Sequence, residues 1–154
     1  MIKKILIATD GSPSALRAAE LGLELAEEEG AQPIFVHVAP TKDVLPVAGI
    51  GMVPVSVPHE LVEADRASLD EAVELAEERG LDAATRLLSG NAAHEIVAFA
   101  DVVDADLIVI GSRGYGAISG ALLGSVSRGV LKGTTRPVLI VREVALPAEA
   151  HVHA

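Results

Sequence analysis

The residues best suited to chemistry in this chain are Gly111-Ser112-Arg113-Gly114, followed after nine further residues by Gly124-Ser125. Glycine lets backbone N–H groups come close to an anion. Ser125 can open a helix, whose first amides have no internal acceptor and whose dipole end is positive. The chemistry this implies is phosphate binding. Arg113, inside the turn, can neutralise a phosphate, and a solvated surface arginine is the plain alternative. Asp10, in Thr9-Asp10-Gly11-Ser12, offers a carboxylate suited to a hydroxyl donor or to Mg²⁺, although aspartate is also a common turn residue in its own right.

Other phosphate and metal patterns fail. No Gly-Lys pair exists, which excludes the P-loop, and the glycines of a dinucleotide fingerprint are missing after the first strand. His94-Glu95 lacks a second histidine at position 98, which is Ala98. His151 and His153 lie on what reads as a disordered tail. Gly116, Gly120 and Gly124 recur at four-residue spacing, which close helix packing would also explain.

The elements that must position these residues follow from the apolar pattern. Residues 2–8 read as a strand, ended by Thr9-Asp10-Gly11. Ser12 is a good N-cap and Pro13 a good first helical residue. Leu16, Ala19, Leu23 and Ala26 form a helical stripe that Gly30 stops. Residues 33–38 are a second strand. Residues 41–58, with Pro46, Pro54 and Pro58 among valines, read as a long loop with an apolar surface. A helix over 60–79, a strand over 83–88, and a helix capped by Asn91 with Ile96, Phe99, Ala100 and Val103 on one face come next. The fourth strand covers 107–110, a helix over 125–132 is weakened by Gly129 and Gly133, and the fifth strand runs from Pro137 to Val141.

Apolar strands alternating with amphipathic helices predict one α/β domain over residues 1–143, with a tail over 144–154. The domain is a doubly wound open five-stranded parallel sheet with helices on both faces. In strand order 3-2-1-4-5 the strand ends at Asp10 and Gly111 are neighbours at the switch point, where such folds bind ligands. Two independent clues thus indicate the same crevice.

Composition narrows the partners. Half of the 154 residues are hydrophobic and 2% are aromatic, so the core is built from Val, Ile, Leu and Ala. The absence of cysteine excludes disulfides and thiolate chemistry. A net charge of −10 argues against nucleic acid and anionic lipid as partners. No stretch is long and apolar enough to span a membrane, and Met1 to Ile5 reads as a strand start rather than a signal peptide. The expected location is cytoplasmic.

With Gly111, Gly114, Gly124 and Ser125 in a Gly-x2-Gly-x9-Gly-Ser arrangement, followed by Val126-Ser127, the chain resembles the universal stress protein family in its ATP-binding subgroup. The opening from Lys4 to Ser12 and the Val36-His37-Val38 strand end are similar too, and the resemblance covers residues 2–142. It implies the adenine nucleotide alpha hydrolase-like fold, order 3-2-1-4-5, and a homodimer paired through the fifth strand, Pro137 to Val141. It further implies ATP, with Mg²⁺ or Mn²⁺, between the turns after strands one and four. Asp10, with Thr9 beside it, would meet the ribose or the metal–phosphate region, and the Val38 backbone would meet adenine. Gly111 and Gly114 would let the chain pass close to ribose and phosphates, with Arg113 between them. Gly124, Ser125, Val126 and, one helical step on, Ser127 would present phosphate ligands.

The function this implies is an ATP-dependent sensor or switch in stress response, acting on a protein partner that the sequence does not name. No histidine or glutamate is placed by motif as a general base, and no arginine or lysine finger is identifiable, so binding is favoured over turnover. Two alternatives stand beside it. One is a slow ATPase or a protein that phosphorylates itself on Ser112 or Ser119. The other is an interaction dimer that binds no nucleotide.

Overall fold

The computed structural model describes residues 1–40, 44–54, 60–113 and 123–143. Gly114, Ser119 and the tail over 144–154 therefore lie outside the described residues. The elements run β1 (Lys4–Ala8), α1 (Pro13–Glu29), β2 (Gln32–Pro40), β3 (Val44–Val47), β4 (Gly51–Pro54), α2 (Glu60–Glu78), β5 (Ala84–Gly90), α3 (Ala92–Val103), β6 (Leu107–Gly111), α4 (Ser125–Gly133) and β7 (Val138–Val141).

Five strands form one parallel sheet in the order β5-β2-β1-β6-β7. With β5, β6 and β7 counted as the third, fourth and fifth strands, this is the expected 3-2-1-4-5 order. Alternation along the strands builds two cores. Ile5, Ile7, Phe35 and Val109 face α1 and α2, whereas Leu6, Val36, Ile108 and Ile110 face α3 and α4. Complete burial of such side chains contributes about 1.5–3 kcal/mol each, and it explains why β1 reads as an uninterrupted apolar run.

Local signals set most boundaries. Gly30 ends α1 in the left-handed conformation at φ 66°. Asn91 caps α3 by accepting the His94 N–H at 3.0 Å. Ser12 occupies the N-cap position of α1 but makes no capping hydrogen bond there; its hydroxyl turns elsewhere, as described below.

The segment expected to be a loop departs from the reading. Within residues 41–58, β3 and β4 pair as an antiparallel hairpin separate from the main sheet, with Val44 opposite Pro54 and Pro46 opposite Met52. Proline is excluded from central strands because it cannot donate to the ladder. Each strand of a two-stranded ribbon has one outer edge with no ladder to break, so that exclusion does not apply.

Candidate functional site

β1 and β6 lie side by side, pairing Ile5 with Leu107 and Ile7 with Val109. From their carboxyl ends the chain departs to opposite faces, into α1 after β1 and into α4 after β6. A crevice of about 430 Å³ opens between them, lined by the turns after both strands, the end of β2, Asp65 of α2 and the starts of α1, α3 and α4. Thr9, Asp10, Val38, Gly111, Arg113, Gly124, Ser125, Val126 and Ser127 all line it.

The two turns are tied to each other. Asp10 Oδ1 accepts the Ser12 N–H at 2.9 Å, closing an Asx turn, and Gly11 bends through φ 78°. Ser12 Oγ donates to the Arg113 carbonyl at 3.4 Å, Ser14 Oγ donates to the same oxygen, and the Arg113 N–H donates back to Ser14 Oγ at 3.3 Å. The β6 turn is thus strapped to the first turn of α1. This close approach is why position 111 is glycine. A Cβ there would stand 2.5 Å from Ser14 Oγ, 2.8 Å from the Ser14 carbonyl carbon and 2.9 Å from the Ala15 nitrogen. The side chain missing from Gly111 makes room for α1.

The start of α4 is held by one carbonyl. The Gly124 N–H donates to Ser112 O at 2.6 Å, and the Ser127 hydroxyl lies 3.1 Å from both Ser112 O and Gly124 O. Ser127 is buried, with its hydroxyl turned into the protein, so it positions the helix start. Gly124 makes no side-chain cap, and Ser125 is exposed. The first-turn amides of α4 have no acceptor within the helix and face the crevice with the positive end of the dipole.

The other end of the crevice is a strand edge. Gln32 N–H donates to Lys3 O at 2.8 Å and Thr9 N–H donates to Val36 O at 2.9 Å. Even-numbered β2 residues therefore turn their backbone groups toward β1. Since β1 ends at Ala8, the N–H and C=O of Val38 point past its end, into the crevice. Val36, Val38, Ile96 and Ile110 supply apolar wall.

One pair of wall residues had no role in the sequence reading. His37, 8% exposed, directs Nδ1 at Thr9 O, 2.7 Å away, and Nε2 at Asp65 Oδ1, 2.8 Å away. The available signal was a histidine amid valines in a buried strand. Its partner lies on α2, a separate element, and no spacing connects them. Among the described residues no three His, Cys, Asp or Glu side chains gather to hold a metal ion, and no helix is long and apolar enough to cross a membrane.

Comparison with known proteins agrees with this architecture. The model of the universal stress protein family matches residues 1–142. The universal stress protein MJ0531 of Methanocaldococcus jannaschii is 37% identical over 148 residues, covering 93% of this chain and 84% of that protein. Among solved structures, the universal stress protein of Archaeoglobus fulgidus in complex with dAMP is 28% identical, with a TM-score of 0.68 over 92% of this chain and 98% of that one. A universal stress protein in complex with cAMP is 29% identical, with a TM-score of 0.69 over 91% of this chain and 97% of that one. By its sequence over residues 1–142 and by its sheet order, this chain belongs to the universal stress protein family.

Proposed function

We propose that the crevice binds an adenine nucleotide, with ATP as the working ligand, and that occupancy switches what the protein presents to a protein partner during stress in the cytoplasm. The observation that carries this reading is the pairing, across one crevice, of the Val38 backbone edge with the uncapped start of α4. An N–H and a C=O side by side complement the ring nitrogen and amino group of adenine, and the apolar wall accepts the flat base. Ser125 and Val126 would present amides to the phosphates, with Asp10 at the ribose hydroxyls. The relatives solved with dAMP and cAMP support the adenine class. Mg²⁺ or Mn²⁺ would arrive with the phosphates. Binding is proposed over turnover because both ring nitrogens of His37 already face oxygen atoms, which leaves no lone pair aimed at a water.

A homodimer is part of the reading. The β7 strand forms one border of the sheet, with half-buried Val138, Leu139 and Ile140. Pairing across a two-fold axis would cover an edge otherwise prone to aggregation. A monomer in sedimentation at micromolar concentration would remove this part alone.

The test is a calorimetric titration of nucleotide-stripped protein with ATP and Mg²⁺, repeated on Ser125→Asp. Saturation at a single nucleotide per chain is expected. The variant places a carboxylate where the phosphate would sit and should weaken binding by about tenfold or more, because like charges brought together cost several kcal/mol. An acid in the first turn favours the helix dipole, so that loss would not reflect unfolding. Absence of binding to the native protein would overturn the reading.

A further inference from the structure

We infer that His37 and Asp65 are a positioning pair for the crevice, a proton-dependent clasp that makes nucleotide affinity fall as pH rises. The inference rests on the nucleotide reading of the crevice and adds its regulation. Thr9 O can only accept, so Nδ1 must carry a hydrogen to satisfy its 2.7 Å contact. Asp65 Oδ1, as a carboxylate oxygen, can also only accept, so the 2.8 Å contact to Nε2 needs a hydrogen on that nitrogen as well. Both bonds form together when the ring is the imidazolium. Loss of the Nε2 proton would set a lone pair against a carboxylate in a site where His37 and Asp65 side chains are 9% and 15% exposed. The contact would then become repulsive with little water to relieve it.

The clasp joins three pieces of the crevice wall. Thr9 precedes Asp10 at the end of β1, His37 precedes Val38 at the end of β2, and Asp65 brings in α2. Opening it would loosen the Asp10 turn and the Val38 edge together. Asp65 comes from α2, while Asp10 and Arg113, on the two turns, line the same crevice. From β5, Leu87 stands opposite His37 in register, and Arg86 lies over Phe99, which packs with the core on the other face of the sheet. The linings from α1 and α3 are uncharged. A bound anionic nucleotide and a protonated ring favour each other, and by linkage the coupling is reciprocal.

The experiment titrates ATP into the native protein, Asp65→Asn and His37→Gln from about pH 5 to about pH 8. A phosphate also sheds a proton near pH 6, so the native slope is read against the variants, which share that contribution. Native affinity is expected to fall by at least about fivefold more than that of the variants over this range, the lower end of typical coupling between sites. In Asp65→Asn the amide can donate to a neutral Nε2 while Nδ1 still donates to Thr9 O, so the clasp closes without the extra proton. That variant should keep its affinity at high pH, an outcome that mere structural damage would not produce. Binding with the same slope in all three proteins would overturn the clasp and leave the nucleotide site standing. Absence of binding at every pH would overturn both.

Discussion

Gly111 and Ser14 meet where β6 ends and α1 begins, so closely that a Cβ on Gly111 would lie 2.5 Å from Ser14 Oγ and 2.8 Å from its carbonyl carbon. Backbone atoms cannot swing aside as a side-chain tip does. Gly111→Ala should therefore destabilise the protein by about 1–3 kcal/mol, the usual cost of overpacking, and weaken nucleotide binding by disturbing both turns. Denaturant unfolding would read the first effect and calorimetry the second. Unchanged stability would mean that the contact between α1 and β6 relaxes freely.

A second close contact joins α3 to α4. A Cβ on Gly129 would stand 2.5 Å from the Ala93 Cβ. Alanine is the better helix former by about 1 kcal/mol, so propensity and packing predict opposite signs for Gly129→Ala. Packing should win, because the obstacle is a β-carbon with no rotamer to change, giving a net loss of about 1–3 kcal/mol. The double variant Ala93→Gly with Gly129→Ala should recover part of that loss. A rise in the thermal midpoint of Gly129→Ala alone would refute the contact.

Ser127 separates positioning from direct contact. Removal of its hydroxyl in Ser127→Ala should cost about 1 kcal/mol, the net value of an ordinary hydrogen bond. The Gly124 N–H still satisfies Ser112 O at 2.6 Å, so no carbonyl is orphaned. ATP affinity should weaken less than in Ser125→Asp. A large loss of affinity at unchanged stability would show instead that the Ser127 hydroxyl touches the phosphate.

Asp106 predicts an acid sensitivity far from the crevice. Its Oδ2 accepts the Lys3 N–H at 2.8 Å and the Lys4 N–H at 2.9 Å. These two bonds, that from Lys3 first, hold its carboxyl below the ordinary value of 3.8. A depressed folded-state value stabilises the fold above the unfolded value and ceases to do so as pH falls through the folded one. The stability advantage of the native protein over Asp106→Asn should thus be constant near neutrality and shrink only below the ordinary value of 3.8. Denaturant midpoints measured for both proteins down the pH scale would show it. A difference that already shrinks near neutrality would contradict it.

What was legible in the sequence was legible for local reasons. The strands of the main sheet are buried on both faces, so their residues are apolar without interruption. Gly30 and Asn91 end and start helices by backbone and side-chain geometry that needs no distant partner. The hairpin within residues 41–58 was not legible, since prolines forbid a central strand but not a two-stranded ribbon, and composition alone does not tell these apart. The glycine turn after β6 stands out by residue type and spacing, and Gly111 does line the crevice; that it also passes within a Cβ's reach of α1 is a contact no spacing announces.

By itself, the sequence determined the order and type of the main elements, the doubly wound class, and the residues gathered at the switch point. Those follow from periodicity and from strand ends, which are properties of contiguous residues. Tertiary structure alone decided that Ser12 and Ser14 serve the Arg113 carbonyl, that the Ser127 hydroxyl turns inward, and that His37 stands between Thr9 and Asp65. Each of these joins residues at least 15 positions apart. A hydrogen bond between distant residues is set by how the elements pack, and no local pattern encodes it.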